Sequence, residues 1–201
     1  MTEDRLEGFL DRLASEAPTP GAGAATALTA AASAAIVAMV CRVTARRTAP
    51  SDDLAQIDQE AETLRARLTA LVQEDADAFA AVIEARRAPA ERRPQAVRAA
   101  LVRATEVPVE IASAAQRILA LCDRLVMSAR ASTVSDLGVA VILAAAALEG
   151  AALTARVNLR DLDDPAFVSR SHSQLAKLVG DAAVTRQRLA QGVAARTGIP
   201  A

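Results

Sequence analysis

The chain has 201 residues, of which 52% are hydrophobic and only 1% aromatic, and 23 basic residues against 24 acidic ones leave a net charge of −1. Such a balance offers no global field to a polyanion, which excludes nucleic acid and anionic membrane surfaces as expected partners. The length suits one domain over residues 1–201. Because the apolar content is carried by Ala, Leu and Val, the composition predicts an all-α, up-and-down helical bundle with long Ala-rich central helices. With Phe9, Phe79 and Phe167 as the aromatics, packing must come from many small contacts. The surplus apolar surface is expected to be covered in a homo-oligomer.

In chain order, Leu6, Phe9, Leu10 and Leu13 recur at helical spacing and predict a first helix from Thr2 to about Ser15. Pro18-Thr19-Pro20 ends it, and Gly21-Ala22-Gly23 leads into a second helix reaching about Arg47. This second helix carries no charge from Gly21 to Cys41, which is long enough to span a membrane. Its alanine content, with Thr26, Thr29 and Ser33, and its lack of an aromatic belt favour a buried bundle helix instead. Ser51 is placed to cap a third helix reaching about Arg87. Along it Leu54, Ile57, Ala61, Leu64, Leu68, Leu71, Asp75, Ala78 and Val82 follow alternating steps of three and four, which puts Asp75 on the buried seam and Asp77 off it.

Pro89 and Pro94 bracket an Arg-rich link, and the helix that follows is expected to kink or divide in two at Pro108. Ser132 to Asp136 reads as a polar turn, with Ser135-Asp136 capping a second apolar helix from Leu137 to Ala155 whose one charge is Glu149. Asp163-Asp164-Pro165 starts a polar, amphipathic helix towards Arg196.

Few residues are suited to chemistry. The single histidine, His172, has no second ligand at helical spacing and reads as a solvated surface residue, so no metal site is expected. Cys41 and Cys122 sit in apolar helices without a CxxC pattern and read as reduced thiols. Together with an acidic N-terminus unlike a targeting peptide, they point to the cytoplasm. The Pro20-Gly21-Ala22-Gly23 elbow has two readings: backbone amides that bind an anion at a helix start, or a tight turn that lets helices approach. A carboxylate on an apolar seam must be paired, hydrogen-bonded or shifted in pKa, so Asp75 is either an acid–base group or half of a structural ion pair with an arginine. Glu149 and Asn158 have a plain structural reading, the satisfaction of hydrogen bonds between helices.

These landmarks together resemble the cyclodeaminase/cyclohydrolase family of one-carbon folate enzymes. The resemblance is carried by Phe9-Leu10, Ser15 and Pro18-Thr19-Pro20-Gly21-x-Gly23, then Met39-Val40 with Thr44, then Asp75-Ala76-x-Ala78-Phe79. It continues through Val107-Pro108 and Ser135-Asp136-Leu137-Gly138-Val139-Ala140 to Glu149-Gly150-Ala151 and Val157-Asn158-Leu159. Ala22 and Ala24 stand where the family's elbow has a glycine and a serine, and Ala129-Arg130 where it has Gly-Asn.

The resemblance implies a dimeric all-α fold, no metal and no tightly bound cofactor, with a tetrahydrofolate derivative as substrate. It implies one of two reactions at the one-carbon bridge, deaminating cyclisation of the formimino group or hydrolysis of the methenyl group. Asp75 would then exchange a proton and Asp136 stabilise the amidinium cation. Pro20, Gly21, Gly23, Ser135 and Asn158 would hold the folate, and Arg46, with Arg47, its carboxylates. The expected pocket lies at the N-termini of the two apolar helices. Two other readings stay open: the same scaffold recruited to another cyclisation, hydrolysis or imine-type reaction, and a non-catalytic oligomerisation module.

Overall fold

A computed structural model describes residues 6–46 and 51–200; the first four residues of the expected opening helix, and Arg47, lie outside them. In chain order the elements are α1 (Leu6–Leu13), α2 (Ala22–Ala45), α3 (Asp52–Arg86), α4 (Arg93–Leu125), a 3-10 turn (Ala131–Thr133), α5 (Val134–Arg160) and α6 (Pro165–Thr197). No strand occurs among the described residues.

The α3 seam packs as its spacing predicts. Leu54, Ile57, Ala61, Leu64, Leu68, Leu71, Ala78 and Val82 are buried, and the Ser51 hydroxyl accepts the Leu54 amide at 3.4 Å to start the helix. Asp164 caps α6 in the same way, accepting from the Phe167 amide at 3.0 Å. At the other end of α6, Arg196 donates to the carbonyls of Val126, Met127 and Ala129 and so satisfies acceptors after α4.

By length and composition, α2 and the stretch Ala131–Arg160 could each cross a membrane, but 56% and 50% of their apolar windows are buried inside the bundle. They pack antiparallel. The Ser33 hydroxyl donates to the Ala140 carbonyl at 2.7 Å, Thr26 lies against Gly150, and the Arg130 amide donates to the Thr44 hydroxyl at 3.2 Å. Small side chains make this approach possible. A Cβ on Gly150 would lie 2.7 Å from Thr26 Cγ2, and Thr26 is pinned because its hydroxyl donates to the Gly23 carbonyl at 2.7 Å. Gly150→Ala should therefore overpack the α2–α5 interface by about 2 kcal/mol. The measurement is thermal unfolding, with Tm expected to fall by roughly 4–8 °C.

Two boundaries differ from the sequence expectation. α4 is not divided at Pro108 but runs as one helix from Arg93 to Leu125. Proline removes the amide that would reach the Ala104 carbonyl, and the Asn158 side chain of α5 supplies a donor to that carbonyl at 2.6 Å instead. The second apolar helix begins at Val134 and ends at Arg160. Ser135 and Asp136 thus lie inside its first turn and do not cap it; the N-cap position is Thr133, with no side-chain capping bond.

Candidate active site

Gly21 is the N-cap residue of α2 and has no side chain to offer the first-turn amides. Those amides need an acceptor from elsewhere. Asp75, projecting from α3, is placed to serve them: its carboxylate lies directly over Gly23, and the nearby Ala24 amide favours its charged form. A Cβ at Gly23 would be 2.5 Å from Asp75 Cγ and 2.6 Å from Oδ2. The group that occupies the space over the glycine elbow is therefore the protein's own carboxylate, and the absence of a side chain at Gly23 lets it approach.

Burial raises the Asp75 pKa above the ordinary carboxylate value, and the Ala24 amide offsets this only in part. No cation among the described residues contributes to its state, so the structural ion pair with arginine is not formed. Asp77 faces outward and accepts from Gln73 Nε2 at 2.9 Å.

Asp75 opens onto a cavity of about 380 Å3, a size typical of small-ligand sites. Gly21, Ala22 and Gly23 form one wall of it, and Leu153, Thr154, Val157 and Asn158 of α5 another. Ala104 of α4, Phe79 of α3, and Pro18 and Thr19 ahead of α2 also line it. Phe79 follows Asp75 by one helical turn and is 42% exposed, an uncovered aromatic face beside a carboxylate. Its i+4 spacing from Asp75 was the signal in the sequence that could have marked it as a site residue; Leu153, Thr154 and Ala104 carry no such signal.

Of the residues proposed from sequence, the structure brings Gly21, Gly23, Asp75 and Asn158 to one cavity. Pro20 faces a smaller neighbouring cleft with Phe9 and Gln73. Ser135, Asp136 and Arg46 lie elsewhere in the chain. Because α2 and α5 are antiparallel, the N-terminus of α2 meets the C-terminal end of α5, and Ser135 is about 35 Å along α5 from Asn158. Ser135 lines a separate, apolar groove of about 430 Å3 between α5 and α6. Arg46 is exposed at the C-cap of α2. The N-termini of the two apolar helices, where the pocket was expected, therefore lie far apart within one chain.

Glu149 is exposed and faces Arg186 at 3.8 Å, and His172 is exposed. Burial pushes the Cys41 and Cys122 thiols up to about 12, so both stay protonated. Among the described residues no group of three or more His, Cys, Asp or Glu side chains is arranged to hold a metal ion.

An all-α bundle with a half-buried, unpaired carboxylate over a helix N-terminus and an open cavity beside it defines a candidate acid–base site. Residues 5–177 match the formiminotransferase-cyclodeaminase family, and the chain belongs to it. It is 35% identical to a methenyltetrahydrofolate cyclohydrolase of Methylorubrum extorquens, over 94% of this chain and 96% of that one. It is 29% identical to the formimidoyltransferase-cyclodeaminase of Mus musculus, over 90% of this chain but 35% of that longer one. The fold matches the crystal structure of formiminotetrahydrofolate cyclodeaminase from Thermotoga maritima with a TM-score of 0.90, 22% identity, and coverage of 96% and 98% of the two chains.

Proposed function

We propose that this protein is a folate one-carbon enzyme that hydrolyses the methenyl bridge of tetrahydrofolate. The observation that carries the proposal is Asp75: a carboxylate with a raised pKa and no cation among the described residues, open to a cavity lined by the glycine elbow. Near-complete mutual coverage with a relative named as a methenyltetrahydrofolate cyclohydrolase supports hydrolysis. In this reaction water adds to the amidinium carbon between N5 and N10, one C–N bond breaks, and a formyl group remains on the other nitrogen with release of a proton. Asp75 takes the proton from the adding water and returns it to the departing nitrogen. Phe79 offers a stacking face to the pterin. The one-carbon unit arrives on the substrate, so the chemistry needs no tightly bound cofactor. The same proton exchange would serve deaminating cyclisation, with ammonia as leaving group.

The active unit is proposed to be a soluble, cytoplasmic homodimer. Val139, Ile142, Leu153 and Val157 form an exposed apolar line along α5, 48–64% accessible. Pairing two such lines antiparallel about Ala146 sets the partner's Asp136 against residue 156, within one turn of Asn158. That arrangement would supply the second carboxylate of the resemblance across the interface, which the distance along α5 rules out within one chain.

The direct test is the absorbance of methenyltetrahydrofolate followed with enzyme present; catalysed loss is expected. Absence of turnover together with absence of 5-formyltetrahydrofolate binding at millimolar ligand would defeat the folate reading and favour another substrate on this scaffold. The shared site is tested by mixing Asp75→Asn and Asp136→Asn chains, each nearly inactive alone. Random exchange should restore about a quarter of parental activity, because half the dimers are mixed and each has one intact site. No recovery after demonstrated subunit exchange would refute the cross-chain site.

A further inference from the structure

The geometry points to Pro108 as a positioning residue: by withholding a backbone amide it fixes the orientation of Asn158 in the Asp75 cavity. The inference rests on the folate reading only for the identity of the ligand. In an uninterrupted α-helix the Ala104 carbonyl would accept from the amide of residue 108, and proline has none. Ala104 is 5% exposed, so its carbonyl needs another donor. Asn158 Nδ2, from the facing helix α5, approaches it at 2.6 Å.

Only the NH2 side of a carboxamide can face a carbonyl oxygen, so this bond selects one of the two flipped states of Asn158 and directs Oδ1 away from Ala104. Asn158 and Ala104 both line the cavity that holds Asp75, and none of the described hydrogen bonds reaches Oδ1. Asn158 thus presents an acceptor of fixed direction, on a wall built by a different helix from the one that holds Asp75. The ligand chemistry that suits it is a planar N–H edge, such as the amino-lactam edge of a pterin. An ordinary residue at 108 would give Ala104 its helical donor and release Asn158 to turn either way.

The test compares the parent with Pro108→Ala, Asn158→Ala and the double variant. The 15N side-chain cross-peak of Asn158 is assigned by its loss in Asn158→Ala. In Pro108→Ala it should move towards the position of solvent-exposed carboxamides, while Tm does not fall, since alanine suits a helix interior better than proline. Titration with 5-formyltetrahydrofolate should show Kd raised about twofold in Pro108→Ala, because two open orientations halve the binding-competent population, and about tenfold in Asn158→Ala, the scale of one lost hydrogen bond. The double variant should bind no more weakly than Asn158→Ala alone, because one substitution acts through the other. An unmoved cross-peak in Pro108→Ala, or losses that multiply in the double variant, would overturn the inference. If the parent itself fails to bind the folate, the folate reading falls, and the cross-peak still decides whether Pro108 orients Asn158.

Discussion

Asp75→Asn is expected to lower kcat by roughly 10²–10⁴-fold, the range associated with loss of a positioned general acid–base group, while the protein becomes more stable at pH 7. The two effects have one cause. Burial raises the Asp75 pKa, so between the ordinary carboxylate value and the raised one the native state binds more protons than the unfolded chain does. Stability therefore falls as pH rises through that window. A neutral side chain removes this loss, and its carbonyl oxygen can still accept from the Ala24 amide. Thermal unfolding of both proteins across pH should show Asp75→Asn melting higher at pH 7, with the difference closing as the pH falls below the ordinary carboxylate range. In the parent, the acid limb of the kcat profile should lie above that range, because the basic form of Asp75 begins the reaction. A variant that loses activity and also melts lower at pH 7 would contradict this account of the site.

Gly23→Ala should be almost as damaging without changing any polar group. The added methyl would occupy the space of the Asp75 carboxylate, 2.5 Å from its Cγ, and because the obstacle is a short side chain on a packed helix, Asp75 must rotate off the Ala24 amide. Misplacement of a reacting group by about 1 Å costs on the order of 100-fold in rate, and that is the loss expected in kcat/KM. The fold should survive, since alanine gains about 1 kcal/mol over glycine inside a helix against the strain of the displaced carboxylate. Gly180→Ala, where a Cβ meets nothing within 4 Å, serves as the control and should keep parental activity. Equal activity of the Gly23→Ala and Gly180→Ala proteins would show that Asp75 need not sit over the elbow.

The features legible in the sequence were those with a local period or cap. The steps of three and four along α3 placed Asp75 on the seam, and Ser51 and Asp164 announced their helices through side-chain caps. Less legible was anything decided by a partner helix. Pro108 looked like a break because its local cost is visible in sequence, whereas the Asn158 donor that offsets it lies 50 positions away in the chain. Ser135-Asp136 looked like a cap because the short turn before Val134 has no strong signature. The site was half legible. Asp75, Gly21, Gly23 and Asn158 share a cavity, but α2 and α5 run antiparallel, a relation no motif encodes, and this separates Asp136 from Asp75 within the chain.

The carboxylate and the amide it meets belong to different helices, so the alignment of α2 against α3 sets the site. That alignment is held far from the cavity as well, where Arg42 near the end of α2 bonds Asp58 at 3.1 Å and Glu62 at 3.0 Å on α3. Two helices fixed at both ends and packed through small side chains cannot slide without leaving voids. The close approach of Asp75 to the elbow thus exists before any ligand arrives. Arrival requires no ordering of the helices that carry the reacting group, and the encounter rate is set by diffusion and orientation at the mouth of the cavity.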